Sequence, residues 1–306
     1  MIEVYKKILK NKSLEKINSF EKDSWIKVID PSQEEIEKLT KELNLEKEHF
    51  IDGLDVNETP RIEQENNGLY IFLRYPTKTI SGQATSTLLT IITPKHFITI
   101  SKTKPEFFDS IISGKIPFYT NQPSRNLMKI LFLITRFYEN SVRAMYKEVK
   151  QERKKLTELA NKDLFKIAEQ EDKLNDYNSS FKPMINIYEK ILKNKKIKFR
   201  EKDAEFIEDL IIDMNQTANT NILVLKTISN MRGYYSMAVS NRLNDIITLL
   251  TIFTIFLTIP TMISGIYGMN IILPYQENPQ IFWILGAIVL GIWGIFFYYV
   301  KKKNLI

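Results

Sequence analysis

The sequence predicts an α+β soluble domain, continued by long helices, that ends in two transmembrane helices. Three observations carry this reading. Short β-branched and aromatic runs separated by turn residues occupy residues 1 to about 120. From Asn126 the apolar positions switch to helical spacing. Ile246–Ile266 and Ile281–Val300 then carry no charged side chain, and each has roughly the twenty apolar residues that cross a bilayer core as a helix.

Taken in order, Trp25–Ile29, Leu69–Tyr75, Thr87–Thr93 and Phe97–Ser101 read as strands, with turns at Asn67-Gly68 and Ser81-Gly82. Ser32 followed by Glu35 is a capping box opening a helix through Leu43. Pro94-Lys95 suits a tight hairpin between the last two strands. Leu127, Ile130, Leu131, Ile134 and Phe137 begin a helical stripe, and the charged stretch Arg143–Lys173 continues it with few breakers. Asn175–Lys182 reads as a loop, with Pro183 in the first turn of the next helix. A long antiparallel helical pair results, its charge run a solvated face. From Asp203 to Ile266 the helical period runs through Phe206, Leu210, Met214, Ala218, Ile222 and Leu225, with no proline before Pro260. As one helix this stretch is about 95 Å long, a rigid link between a soluble domain and the membrane. The expected organisation is an α/β domain over 1–125, a helical hairpin over 126–202, and a stalk helix continuing as the first span over 203–268. An external loop over 269–280, a second span over 281–300 and a basic tail over 301–306 complete it.

Composition narrows the function. Forty-three basic against 36 acidic residues give a net charge of +7, a balance that by itself suits nucleic acid. The charges, however, lie almost entirely outside the apolar segments and alternate in sign, with no Lys/Arg stripe interleaved with aromatics, so no nucleic-acid partner is expected. The chain has no cysteine, which removes disulfides and thiolate metal sites. Its charged first twenty residues lack the apolar run of a signal peptide. His49 and His96, the two histidines, adjoin no nucleophile signature and read as ordinary surface or strand residues, so no enzyme is expected. No glycine loop of the phosphate-binding kind is present, and ion movement is expected to follow gradient and membrane potential. Arg242 precedes the first span, Lys301, Lys302 and Lys303 follow the second, and the loop between has neither Lys nor Arg. The positive-inside rule then places both termini in the cytoplasm of a multi-pass protein of the plasma or inner membrane. Trp283, Tyr298 and Tyr299 suit interfacial anchors for the second span.

The first span is no plain anchor. Asn244, Ile247, Leu250, Thr254, Thr258, Thr261, Gly265 and Gly268 fall three or four apart and share one helix face. One reading is tight helix packing, since small residues and hydroxyls let helices approach in lipid. The other is a wet lining with Ile247 and Leu250 as a hydrophobic constriction. Two spans cannot enclose an aqueous path, so a lining requires several copies in a ring.

The span ends in Ile266-Tyr267-Gly268-Met269-Asn270. With that Gly-Met-Asn triplet ahead of a second span and a basic tail, the chain resembles the CorA family of divalent-cation transporters. Upstream, Ser240-Asn241, Asn244, Leu249-Leu250-Thr251-Ile252 and Pro260 follow the family's approach to the triplet. Asp55 through Pro60-Arg61-Ile62-Glu63 and the strand Leu69–Leu73 extend the likeness into the soluble region, so that it covers nearly the whole chain. The resemblance implies a funnel-shaped homopentamer in membrane lipid that transports Mg2+, with Co2+ and Ni2+ accepted by several members and no prosthetic group. It implies that Gly268, Met269 and Asn270 form the entrance filter, and that Asn244, Ile247, Leu250, Thr254, Thr258, Thr261 and Gly265 line the pore. It further implies regulatory Mg2+ at cytoplasmic subunit interfaces, with Asp52 and Asp209 at the matching positions among other nearby acids. Glu277 is the loop's one carboxylate to concentrate cations, later in the loop than the family implies, and the soluble region is shorter than the family implies. Two alternatives stand beside this reading: a Zn2+ or Co2+ transporter of the same family, and a non-conducting membrane-tethered scaffold or sensor.

Overall fold

A computed structural model describes the chain except for residues 9–12, 66–67, 81–82, 154–160, 195–196, 198, 273, 275–277 and 303–306. Asn67, Ser81, Gly82, Glu277 and Lys303, named above, lie outside the described residues. The chain divides into two units, Met1–Met231 and Arg232–Ile306.

The first unit is built on seven strands: β1 (Ile2–Lys6), β2 (Glu15–Ile17), β3 (Ser24–Ile29), β4 (Arg61–Glu65), β5 (Gly68–Ile80), β6 (Gln83–Ile92) and β7 (His96–Ser101). They form one sheet in the order β2-β1-β3-β7-β6-β5-β4. Every neighbouring pair is antiparallel except β3 with β7, which run parallel with Trp25 opposite Phe97. The four strands expected from β-branched runs are all present. Three more, β1, β2 and β4, carry too many charged residues for that signal.

Period-two alternation sends successive side chains to opposite faces, and both faces are covered. On one face Tyr70, Phe72, Leu89, Ile91, Ile98 and Ile100 pack with Ile36 and Leu39 of α1 (Gln33–Leu43) and Phe50 of α2 (Lys47–Leu54). On the other, Trp25, Leu69, Ile71, Leu73 and Phe97 pack with α3 (Phe107–Ile112), α4 (Pro123–Arg153), α5 (Asn161–Lys193) and the first part of α6 (Glu201–Tyr267). Each large side chain buried this way contributes roughly 1.5–3 kcal/mol. Helix α1 starts as expected: Ser32 Oγ accepts from the Glu35 N–H, and Glu35 reaches back to the Ser32 N–H. Gly53 explains the placement of α2, since a Cβ there would sit 2.8 Å from Leu89 Cβ. Only a glycine lets this helix lie so close to the sheet.

One expectation is corrected. Asn175–Lys182 is not a loop; α5 is helical from Asn161 to Lys193, with Pro183 inside it. Leu174, Tyr177, Phe181, Met184, Tyr188 and Ile191 are all buried at three- and four-residue spacing. That stripe overrides the intervening Asn, Asp and Ser, because most helical stability comes from burying an amphipathic face. The polar residues are themselves used: Asp176 accepts from the Ala84 N–H at 2.8 Å, and Ser180 donates to the Asp176 carbonyl at 3.0 Å.

At the sheet's other end Glu3 of β1 faces its register partner Lys27 of β3 and also meets Lys16 of β2 at 2.8 Å. Burial pushes its carboxyl upward, but the hydrogen bonds from Lys16 and Lys27 outweigh it and hold the value down at about 2. Because the folded value is depressed, the stabilisation is complete above the ordinary value of 4.5 and vanishes as pH falls toward about 2. Acid unfolding followed by near-ultraviolet circular dichroism should therefore show Glu3→Gln less stable than the parent at pH 6, with the gap closing below pH of about 4.5.

Candidate ion pathway

Helix α6 is continuous from Glu201 to Tyr267, passing Pro260 without interruption. Within the first unit its stripe of Ile207, Leu210, Met214, Val224, Ile228 and Met231 is buried. Beyond, its most apolar stretch has a mean hydropathy of 2.3 and is 0% buried, and α7 (Gln280–Lys302) has a stretch of 2.2, also 0% buried. Some forty residues of apolar helix surface thus require a covering that one copy in water does not supply, roughly what two bilayer spans demand. The backbone needs none, since helices meet their own hydrogen bonds.

The two apolar helices contact each other along one side of α6. Phe256 stacks on Trp293 with ring centroids 3.9 Å apart and an interplanar angle of 15°. Pro260, Ile263, Ser264 and Tyr267 continue that side, lining with Phe282, Gly286 and Trp293 a cavity of about 380 Å³. At roughly 100° per residue, the stripe Asn244, Ile247, Leu250, Thr254, Thr258, Thr261 and Gly265 lies on the opposite side of α6, away from α7. Each of these residues is exposed. Thr254, Leu257, Thr258, Thr261 and Met262 surround a shallow groove of about 410 Å³ on that side.

The threonine hydroxyls all make the same bond. Thr254 donates to the Leu250 carbonyl at 2.8 Å, Thr258 to Thr254 at 2.7 Å, and Thr261 to Leu257 at 2.7 Å. A hydroxyl has one proton and two lone pairs. With the proton committed to the helix backbone, each side chain presents oxygen lone pairs outward, as an acceptor. Thr251, which the stripe omitted, bonds the Ile247 carbonyl at 2.8 Å and borders the same face. Its position four residues after Ile247 was the available signal.

At the end of the helix the Gly268 N–H closes the last turn on the Ser264 carbonyl at 2.9 Å. A Cβ on Gly268 would come within 3.1 Å of that same oxygen, a backbone atom that cannot swing aside. Met269 and Asn270 follow and are exposed. Asn278 then opens α7, its Oδ1 accepting from the Gln280 N–H at 3.0 Å.

Of the two expected regulatory acids, Asp52 lies on α2 and is half-buried, its Oδ2 accepting from Arg61 at 2.6 Å. Arg61 also pairs with Glu58 and with Glu63, the latter at 2.6 Å, and packs over the Phe72 ring. Asp209 is exposed on α6. His96 is a strand residue as expected, its Nδ1 3.1 Å from Ser24 Oγ. His49 is neither surface nor strand; it is buried on α2.

A mixed α/β unit, one helix continuing into an apolar segment, and a second apolar helix give the chain two candidate membrane spans among the described residues, the class of fold found in membrane proteins with a large domain outside the bilayer. The CorA-like Mg2+ transporter protein family matches residues 21–302, and the chain belongs to that family. The cobalt/magnesium transport protein CorA of Methanocaldococcus jannaschii is 28% identical over 289 residues, 92% of this chain and 90% of that one. The Thermotoga maritima protein of the same name is 33% identical over 105 residues, 32% of this chain and 28% of that one. The complete structure of the M. jannaschii CorA magnesium transporter superposes with a TM-score of 0.85 at 25% identity, covering 100% of this chain and 99% of that one. Full-length CmaX shares the fold, with a TM-score of 0.71 at 17% identity, covering 99% of this chain and 96% of that one.

The Phe256–Trp293 stack should be measurable in the purified protein. In a double-mutant cycle of Phe256→Ala and Trp293→Ala in detergent, the coupling energy is expected at roughly 0.5–1.5 kcal/mol, and independent effects of the two changes would show the contact to be incidental.

Proposed function

We propose that the chain is one subunit of a homopentameric channel that admits hydrated Mg2+, with Co2+ and Ni2+ as further substrates, into the cytoplasm. One observation carries this reading: the side of α6 turned away from α7 offers uncharged oxygen acceptors, their donors already spent on the helix, and leads to an exposed Asn270. A coordinated water is a strong hydrogen-bond donor, and Mg2+ gives up its octahedral water shell reluctantly. A path for the hydrated ion therefore wants acceptors without a full charge, since entry must be favourable yet release easy. The first spans stand inside the ring with Thr254, Thr258, Thr261 and Gly265 on the lumen, α7 faces lipid, and Ile247 and Leu250 close the cytoplasmic end. Gly268, Met269 and Asn270 form the entrance, where five carboxamides accept from the ion's water, and Glu277 in the loop raises the local cation concentration. Both termini lie in the cytoplasm, consistent with Arg242 and Lys301 to Lys303. The gradient and membrane potential drive the flow.

Regulation follows by linkage: Mg2+ bound between subunits at Asp52 and Asp209 stabilises the closed ring, and its loss favours open states. Asp52 fits a hard cation, because Arg61 bonds its Oδ2 and leaves Oδ1 as an oxygen ligand.

Two measurements decide. In liposomes at matched protein content, Asn270→Ala should lower Mg2+ flux by at least about tenfold, the weight of one charge-assisted hydrogen bond; equal flux refutes the filter assignment. Asp52→Ala combined with Asp209→Ala should abolish the protection from proteolysis that Mg2+ confers on the parent, and undiminished protection rejects the regulatory pair.

A further inference from the structure

His49 projects from α2 toward the edge strand β4. Its ring lies 4.2 Å from the Tyr70 ring and 6.0 Å from Phe72, which fixes its position. The side chain is 8% exposed, and neither ring nitrogen has a hydrogen-bond partner. The nearest oxygens belong to two carboxylates: Nδ1 is 3.4 Å from Glu63 Oε2, and Nε2 is 3.2 Å from Glu65 Oε2. Glu63 and Glu65 are two apart on one strand and so share a face. Arg61 occupies only the other oxygen of Glu63, Oε1, leaving Oε2 directed at the imidazole.

A buried imidazole with no hydrogen bond at either nitrogen is costly, and the two carboxylates beside it show what would relieve the cost. One ligand atom from each of His49, Glu63 and Glu65 can be chosen so that all three lie within 4.8 Å of one another. Ligand atoms about 2.1 Å from a shared ion at tetrahedral angles lie about 3.4 Å apart; the two short contacts here are made by different ring nitrogens, so one glutamate side chain turns toward the coordinating nitrogen when an ion binds. Charge points the same way, because Asp52, Glu58 and Glu63 all pair with one guanidinium, Arg61, and Glu65 adds a further carboxylate beside the ring.

We propose that His49, Glu63 and Glu65 form a binding site for a first-row transition-metal dication such as Zn2+ or Co2+, in the soluble unit and separate from the pathway on α6. The imidazole nitrogen sets the preference, since nitrogen ligands favour Zn2+, Co2+ and Ni2+ whereas Mg2+ prefers oxygen. One ring nitrogen coordinates, each glutamate gives one oxygen, and water completes the shell through the side on which Glu65 is half exposed. Asp52 and Asp209, an oxygen-only pair, share no residue with this site.

The test uses the full-length chain in detergent with excess Mg2+ to fill oxygen-only sites, titrated with Co2+ and followed by d–d absorption. One saturable Co2+ per subunit is expected, displaced by Zn2+. Glu65→Gln, a change at an accessible residue, should weaken it by roughly tenfold or more, and His49→Gln should abolish it with circular dichroism unchanged. Absence of saturable Co2+ binding overturns the proposal. Binding unchanged by Glu65→Gln but lost in Asn270→Ala belongs to the ion pathway and overturns it equally.

Discussion

In hydrocarbon an unmet peptide N–H or C=O costs several kcal/mol, and that single constraint shapes the second unit. It forces both apolar segments to be helices and leaves any polarity inside the membrane to side chains that do not disturb the helix. Charged groups are too costly there. Threonine meets the condition, because its hydroxyl adds a bond to a carbonyl the helix has already used and still exposes an acceptor. Pro260 relaxes the constraint inside α6: it has no N–H to give the Phe256 carbonyl. It lies on the side of α6 that meets α7, where Phe256 and Trp293 stack.

How much of this was legible in the sequence depends on how local the determinant is. The capping box at Ser32 and Glu35, the strands rich in Ile, Leu and Phe, and the uninterrupted α6 all show themselves in patterns of a few neighbouring residues, and each is readable. Asn175–Lys182 was misread because its helix is held by distant partners. Leu174 and Phe181 bury their side chains, and Asn221, forty-seven residues away, donates to the Leu174 carbonyl. No local pattern announces that. Strands β2 and β4 are charged edges, and β1 is a charged strand between β2 and β3; in all three, pairing replaces apolar alternation as the organising force.

The candidate site divides in the same way. The stripe on α6 and the triplet ending it are consecutive turns of one helix, so spacing alone assembled them. His49 was dismissed because Glu63 and Glu65 are fourteen and sixteen residues further along and on a different element. Only the close approach of α2 to the sheet, through Gly53, brings them together. Arg61 stands in the sequence only as part of the likeness Pro60-Arg61-Ile62-Glu63, and its grip on Asp52, Glu58 and Glu63 emerges only once β4 is laid beside α2.

The parallel β3–β7 ladder sets a schedule for biosynthesis. Its partners are seventy-two residues apart, as Trp25 against Phe97 shows, so the N-terminal hairpin has no permanent seat until β7 has left the ribosome. The larger core then waits longer still, because Ile207 to Met231 supply its last layer. At roughly 5–20 residues per second, the first membrane-bound segment follows within seconds. Maturation of the soluble core and delivery of the nascent chain to the insertion machinery must therefore overlap in time, and a variant that delays one will handicap the other.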